Sequence, residues 1–263
     1  MTDHSDQNID HGRKFDFGRI ADEYARYRDI YPASMLEKLQ YFQVVQPGMT
    51  ILDIGTGTGV IPRGLVHSGA VFYGVDIAPE QIREAERLSA GMGIRYAVAP
   101  AEDTPFADNS FDAVIACQCF CYLSVPRLKT ELQRILRPRG CFCRLFMSWL
   151  PFESEIAAAT ETLVLKYNPS WTGGRYRPSP YQPPAWIEPL FELETYHQYR
   201  VDLPFSIDGW CGRQRACRGV GASLPPAEVA AFDLELHQRL RQFGPEPLLI
   251  KHLITMEVFR RID

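Results

Sequence analysis

Between Thr50 and Met147 the chain alternates between short apolar runs and stretches of helical period. Thr50–Ile54, Val71–Val75, Ile94–Val98, Phe111–Cys117 and Cys141–Met147 read as strands. Gly59–Ser68, Pro79–Ala90 and Val125–Leu136 read as helices. Pro79 opens the second and Gly91 closes it, while Pro138 and Gly140 follow the third. Strands alternating with helices of this length predict an α/β, doubly wound, parallel sheet. Upstream, Phe17, Ile20, Ala21, Tyr24 and Tyr27 fall at helical spacing. Pro32 begins a second helix whose apolar face is Met35, Leu36, Leu39 and Phe42. Downstream the alternation stops. A helix is expected near Glu153–Tyr167, then a stretch rich in Pro, Tyr and Trp over Asn168–Pro189. A strand-like run over Glu194–Asp202 follows, then helices near Ile207–Cys217 and Pro226–Phe243. The run Leu248–Phe259 is apolar and β-compatible and could return to the sheet.

Composition narrows the class. The 263 residues are 46% hydrophobic and 23% charged, which excludes a mainly disordered chain. A formal net charge of −4 gives no global attraction for nucleic acid or an anionic membrane. No apolar run approaches the roughly 18 residues of a membrane span. The beginning MTDHSDQNIDHGRKFDF lacks the apolar segment of a secretory signal, so a cytoplasmic location is expected. The seven cysteines, an odd number, are then expected as reduced thiols.

The sharpest local signal is Asp53-Ile54-Gly55-Thr56-Gly57-Thr58-Gly59, where an apolar strand runs into a loop with glycine at every second position and then a helix. Such glycines permit a tight turn and a close approach to a ligand. Asp76 ends the next strand, where an acid accepts both hydroxyls of a ribose. A phosphate-cradling loop would need Gly-Lys-Ser/Thr, and this loop has no lysine. A dinucleotide loop wants G-x-G-x-x-G, but Val60 stands at the third position. The class left is an adenosyl-sulfonium methyl donor. It carries no phosphate, and its ammonium and sulfonium suit a neighbour such as Asp53.

Four segments make the chain resemble the class I S-adenosylmethionine-dependent methyltransferases, in their type 11 small-molecule branch: LDIGTGTG at 52–59, YGVDIAPEQIREA at 73–85, APAEDTPFADNSFDAVIACQCFCYL at 99–123 and LKTELQRILRPRGCFCRLF at 128–146. The resemblance implies a mostly parallel seven-stranded Rossmann-like sheet with an inserted α-rich lid. It divides the chain into a mobile N-terminal arm (1–14), N-terminal lid helices (15–46), a cofactor-binding α/β core (47–148), an acceptor-side insertion carrying part of the sheet (149–247) and a returning strand (248–263). It implies roles by position as well. Gly55, Thr56, Gly57 and Gly59 would pass under the methionine portion of S-adenosylmethionine, and Asp53 would hold its ammonium. Asp76 would bind the ribose, Ile77 would pack on the adenine and Gln81 would lie near it. Asp103 would receive the adenine amino group, with Ala101 and Glu102 supplying backbone. Cys117 and Gln118 would line the sulfonium. Phe17, Ala21, Tyr24, Arg28, Tyr31 and Pro32 follow the opening pattern of the branch and imply a lid, with Tyr24 or Tyr27 near the methyl region and Arg28 near the donor carboxylate.

The acceptor side is less defined. Cys117, Cys119 and Cys121, and Cys141 and Cys143, alternate on strands and read as core packing; their spacing is not that of zinc, and no metal is expected. No strong base follows the fourth strand. His252 is a candidate pocket residue, and His197 and His237 are the other histidines in reach of such a role. Trp149, Trp171 and Tyr176 are candidate acceptor contacts, with Arg175 and Arg177 as a possible clamp for a carboxylate. Arg213, Arg215 and Arg218 around Trp210 read as a solvated helix face rather than a nucleic-acid surface. The expected function is methyl transfer to an O, N or S nucleophile of a small molecule by in-line displacement, without nucleic acid or membrane, by a monomer or homodimer. The alternatives are other chemistry on the same donor, such as cyclisation or aminoalkyl transfer, and a non-catalytic cofactor-binding regulator.

Overall fold

In the computed structural model, which describes residues 9–263, seven strands form one sheet in the order β3-β2-β1-β4-β5-β7-β6. They are β1 (Thr50–Ile54), β2 (Val71–Asp76), β3 (Arg95–Val98), β4 (Phe111–Cys117), β5 (Leu136–Trp149), β6 (Phe191–Phe205) and β7 (Leu248–Arg261). All pairings from β3 to β5 are parallel. β7 runs antiparallel between β5 and β6, with Trp149 opposite His252. The helices are α1 (Ala21–Tyr27), α2 (Ala33–Tyr41), α3 (Val60–Gly64), α4 (Pro79–Leu88), α5 (Val125–Ile135), α6 (Glu155–Tyr167), α7 (Ile207–Arg215) and α8 (Pro226–Leu240).

The central strands are apolar on both faces because both faces are covered. Ile51, Ala113, Ile115, Cys117, Cys141, Cys143, Leu145 and Trp149 pack toward one side, with Met35 and Leu39 of α2, Leu163 of α6, Trp210 of α7 and Phe232 of α8. Leu52, Ile54, Val114, Ala116 and Phe142 pack toward the other, with Leu128 and Leu132 of α5 and with Phe259. The alternating cysteines of β5 are therefore core residues, and burial pushes the Cys141 thiol up to about 12.

Several boundaries differ from the sequence expectation, and strand β6, expected over Glu194–Asp202, is longer at both ends. The helix expected over Gly59–Ser68 is only one turn of α3 followed by a 3-10 turn at Val66–Ser68. Strand β5 starts at Leu136, directly after α5, instead of at Cys141. The arm expected over residues 1–14 is docked from Ile9 onward, whereas residues 1–8 of that expectation lie outside the described residues. Asp10 is fully buried: its carboxylate accepts from the Thr172 backbone N–H at 2.8 Å and pairs with Arg218 at 3.1 Å. An acid drawn out of water needs such partners, and these two fasten the start of the described chain to the insertion.

The insertion packs tightly on itself and on the N-terminal segment, where a Cβ on Gly212 would run into the Tyr27 ring. Added at Gly221, a Cβ would overlap the backbone carbonyl of Arg215, which cannot swing aside as a side chain can. Gly221→Ala should therefore cost about 1–3 kcal/mol, the usual range for overpacking, in urea unfolding. Gly48→Ala, where a Cβ meets nothing, should lose only what its positive φ costs, about 1 kcal/mol. Equal losses at the two positions would refute the packing account.

Candidate functional site

Strand order reverses between β1 and β4, and the loops leaving the carboxyl ends of these strands diverge there, as they do around the ligand crevice of open α/β sheets. The glycine loop fills that point. Gly55, Gly57 and Gly59 all have positive φ, at 61°, 54° and 76°. The turn thus demands glycine by conformation. Protein groups also crowd these positions: a Cβ on Gly55 would stand 2.6 Å from Cys119 Cβ, one on Gly57 3.3 Å from the Tyr24 ring, and one on Gly59 against the Tyr96 hydroxyl. The sequence reading gave these glycines to a ligand's approach; much of their need is the protein's own packing.

Two acids flank the loop. Asp53, 2% exposed at the end of β1, accepts from Thr56 Oγ1 at 2.7 Å through Oδ2, while its Oδ1 has no partner among the described residues. Burial, reinforced by Asp76, pushes its carboxyl up to about 7. Asp76 ends β2 and accepts from the Gly57 N–H at 2.9 Å and the Ala78 N–H at 3.0 Å. Its pKa is raised by burial, with those backbone donors opposing the shift. Ionised, it keeps lone pairs free beside these two bonds. Next to it Ile77 is 74% exposed, an apolar side chain left in water. Gln81 is buried on α4, donates to the Phe17 carbonyl at 3.1 Å and leaves its own Oε1 unpartnered near Gly57.

The structure brings most of the expected residues to this mouth. Ala101 is buried after β3 and Asp103 stands exposed. Glu102 is engaged structurally, accepting from the Ser124 N–H at 2.8 Å at the start of α5. Cys117 is a buried thiol hydrogen-bonded by Tyr31 and pushed up to about 12 by burial. Gln118 follows in a left-handed conformation at φ 64°, fastened by its Nε2 to the Met147 carbonyl at 2.5 Å. Such a backbone in a residue other than glycine costs energy and is found at functional sites. Tyr24 lies over Gly57, with the Arg28 guanidinium 5.1 Å from its ring centre. Burial raises the Tyr24 phenol, which stays protonated.

Phe15, Phe17 and Tyr122 close this mouth in a mutual cluster, with ring centroids 5.6–5.9 Å apart. The sequence places Phe17 on a helix and in the implied lid, but gives no role to Phe15 or Tyr122. The signal was there in the aromatic content of Phe15-Asp16-Phe17 just before the helix, but nothing local linked it to Tyr122.

The acceptor candidates separate. Trp149 is buried on the α7 side of the sheet. Its Nε1 donates to Glu161 at 2.6 Å, and its ring meets those of Trp171 at 6.3 Å and Trp210 at 5.6 Å. Tyr176 sits instead in a cleft with Leu150, Phe152 and Arg177, against Phe146 of β5. Three residues apart on one strand, Phe146 and Trp149 face opposite sides, so the two candidates do not share a wall. Arg175 and Arg177 are exposed, and Arg177 lies over the Phe152 ring. His252 is fully buried beside Phe205 and Trp210, with Nδ1 bonded to the Ile250 carbonyl at 2.7 Å. Burial and Arg213 push it down to about 3, so at neutral pH it is an uncharged and weak proton acceptor. His197 lies against Phe42 and Tyr199, and His237 bonds Asp208 and Asp233, away from the loop.

The arginines expected as a solvated face are not one. Arg215 pairs with Glu23 at 2.8 Å and with Asp233, and Arg218 pairs with Asp10. Arg213 is 1% exposed, its guanidinium 4.6 Å from the Trp149 ring centre and 5.2 Å from that of Trp210.

With this geometry in place, the relatives are informative. Residues 52–143 match the family described as Methyltransferase domain. An uncharacterized methyltransferase of Mycobacterium tuberculosis is 33% identical over 134 residues, 51% of either chain. Demethylmenaquinone methyltransferase of Tropheryma whipplei is 29% identical over 161 residues, 57% of this chain and 64% of that one. The chain thus spans between half and two thirds of the length of these curated relatives. A solved structure from Anaeromyxobacter dehalogenans, described as a candidate type II methyltransferase, superposes with a TM-score of 0.59 at 23% identity, covering 89% of this chain and 97% of that one. Residues 52–143 thus match a methyltransferase domain, and the seven-stranded, mostly parallel sheet is the fold shared with that solved structure.

The Asp53 environment makes a pH prediction. Its folded pKa lies above the ordinary 3.8, so the folded state holds the proton more tightly. Stability should fall as pH rises from ~4 to ~7, with the full cost present above ~7. At about 1.4 kcal/mol per pKa unit the ceiling is about 4 kcal/mol. Asp53→Asn keeps an acceptor for Thr56 and carries no charge. It should match wild type within ~1 kcal/mol at pH 4 and exceed it by roughly 2–4 kcal/mol at pH 8 in denaturant unfolding. A variant less stable than wild type at both pH values would show that Asp53 is not a strained buried charge.

Proposed function

We propose that this chain transfers a methyl group from S-adenosylmethionine to an O, N or S nucleophile of a small molecule by in-line displacement. The observation that carries this reading is the pair of acids at the glycine loop: Asp76 with lone pairs facing the mouth, and Asp53 with a buried, unpartnered Oδ1. The donor fits those groups. A buried oxygen without a partner suits an ammonium, and the orphan Oε1 of Gln81 suits a further donor group. The ribose hydroxyls would go to Asp76 and the adenine against the exposed face of Ile77, near Asp103 and the Ala101–Glu102 backbone. Arg28 would stand near the donor carboxylate, and Cys117 and Gln118 near the sulfonium. A charged sulfonium supplies an activated methyl group and a neutral leaving group.

The chain's own contribution is then mostly positional. Thr56 and the Gly57–Asp76 bond fix the loop against β2, and Gln118 is held rigidly at the end of β4. Tyr24, Phe15, Phe17 and Tyr122 exclude water from the mouth. Such alignment and exclusion are what a displacement with an already activated donor requires. Protonated Tyr24, neutral Cys117 and His252 at about 3 leave no strong base among the candidates, so the acceptor would enter with its own nucleophilic lone pair. The helices among the described residues include none long and apolar enough to cross a membrane, and all seven cysteines are free thiols. A reducing cytoplasmic setting, a small-molecule acceptor, no nucleic-acid partner and a monomeric or dimeric state belong to the same reading.

Calorimetry tests it. S-adenosylhomocysteine should bind with micromolar-range affinity, roughly −8 kcal/mol, and NAD should not bind. Asp76→Ala should weaken S-adenosylhomocysteine by about 1.5–3 kcal/mol, the loss of charge-assisted bonds to hydroxyls. NAD binding without S-adenosylhomocysteine binding would replace the reading with a dinucleotide one.

A further inference from the structure

Of the arginines on α7 and the loop after it, Arg213 alone has no carboxylate beside it. Arg215 and Arg218 are matched by Glu23, Asp233 and Asp10. Arg144 of β5, largely covered, forms a two-pronged pair with Glu257. Arg213 is more deeply buried still, yet its Nε and Nη1 have no hydrogen-bond partner among the described residues. What faces the guanidinium is the ring of Trp149, the ring of Trp210, the uncharged His252, the phenols of Tyr24 and Tyr31, the thiol of Cys217 and a second cation, Arg28. Burial and Arg28 push it down, to about 10, and it still carries its charge at neutral pH.

A buried cation without a counter-ion is unfavourable, and two indole faces offset only part of the cost. A fold that needed only to fill this volume would do better with an apolar side chain. The position is informative too. Arg28 lies on Tyr24, which covers Gly57 of the loop. Arg213 lies one step further from the loop, on Trp149 at the carboxyl end of β5 and opposite His252 on β7. Two adjacent cations therefore stand on the same side of the crevice, one over the donor loop and one beyond it.

We infer that Arg213 receives an anionic oxygen group, a carboxylate or a phosphate, carried by the methyl acceptor, with the Trp149 ring as the wall against which the rest of the acceptor lies. The inference rests on the proposed methyl transfer and names the class of its acceptor. Arg28 keeps the donor carboxylate. Filling both places with anions would relieve the mutual repulsion of the two guanidinium groups, so donor and acceptor would favour each other's binding.

The test uses the full chain saturated with S-adenosylhomocysteine, probed by thermal shift and calorimetry with benzoate, phenyl phosphate and the uncharged benzamide. Benzoate or phenyl phosphate should raise the melting temperature and benzamide should not; which anion acts identifies the oxygen group. Arg213→Gln should abolish the response by at least tenfold in affinity and leave S-adenosylhomocysteine within threefold. Arg213→Met should melt at or above wild type, because it removes an unpaired buried charge, and should also lose the anion response. A benzamide effect equal to that of benzoate, no effect of either anion, or an Arg213→Met protein that melts well below wild type would overturn the inference while the methyltransferase reading stood. A tenfold loss of S-adenosylhomocysteine in Arg213→Gln, with methylthioadenosine binding unchanged, would overturn it too, by giving Arg213 to the donor carboxylate. Wild-type protein that binds no S-adenosylhomocysteine would overturn the functional reading and this inference with it.

Discussion

The hydrogen bond from the Gly57 N–H to Asp76 is the contact on which the site's geometry depends. It ties the loop after β1 to the end of β2, beside the crevice where strand order reverses between β1 and β4. Its companions do the same work at either end: the Thr56 N–H bonds the Val75 carbonyl, and the Thr56 hydroxyl bonds Asp53. The three positive-φ glycines exist to let the backbone meet these partners while Cys119, Tyr24 and Tyr96 press on it. A loop held this tightly presents two carboxylates in fixed positions, one with free lone pairs and one with an orphan oxygen. Preorganisation of that kind costs stability, as the raised pKa values of both acids show, and the cost is borne where a cationic ligand would recover it.

Much of the fold was legible because the central strands obey one rule at a time. Ile51-Leu52-Asp53-Ile54 and Phe111–Cys117 are buried on both faces, so apolar runs mark them without ambiguity. Pro79, at a first-turn position, marks the start of α4. The failures lie where two rules compete. Pro138 and Gly140 argued that β5 should wait until Cys141, but parallel pairing with Phe111 already recruits Leu136, and the register shift between Phe111 and Ala113 absorbs the misfit. The arm around Asp10 looked mobile because its polar residues have no local partners; Thr172 and Arg218 lie far along the chain. No local pattern encodes a contact of that separation.

The residues proposed for the donor were easy to group for the same reason as the strands: they cluster in short segments at strand ends. Those proposed for the acceptor were not. Helix α7 buries Trp210, Cys211, Gly212, Arg213 and Gln214 in succession, so it has no polar face for periodicity to detect. Its composition still resembles a surface helix, and composition misplaced Arg213. Tyr176 was grouped with Trp149 because both are aromatic residues after β5, whereas the period-two alternation of β5 sends their contacts to opposite sides.

The sorting of charge across the crevice carries the argument furthest. Asp53 and Asp76 lie on the β1–β2 side; Arg28 and Arg213 lie across it, over Tyr24 and Trp149. None of the four has an opposite side-chain charge within ion-pair distance among the described residues, while many surface charges here do, Arg200 with Glu153 and Arg87 with Glu84 among them. Surface pairs of that kind contribute little to stability. Leaving four charges unpaired in a poorly solvated crevice costs far more, and the separation of sign creates a field directed from the arginines to the acids. The proposed zwitterionic donor would be oriented by such a field, its ammonium toward Asp53 and its carboxylate toward Arg28. An anionic acceptor on Arg213 would be held on the opposite side from the acids, which are the groups it must avoid. The same unpaired charges that weaken the fold would thus fix the order of the two proposed ligands along the crevice, and alignment is what a displacement reaction asks of the protein.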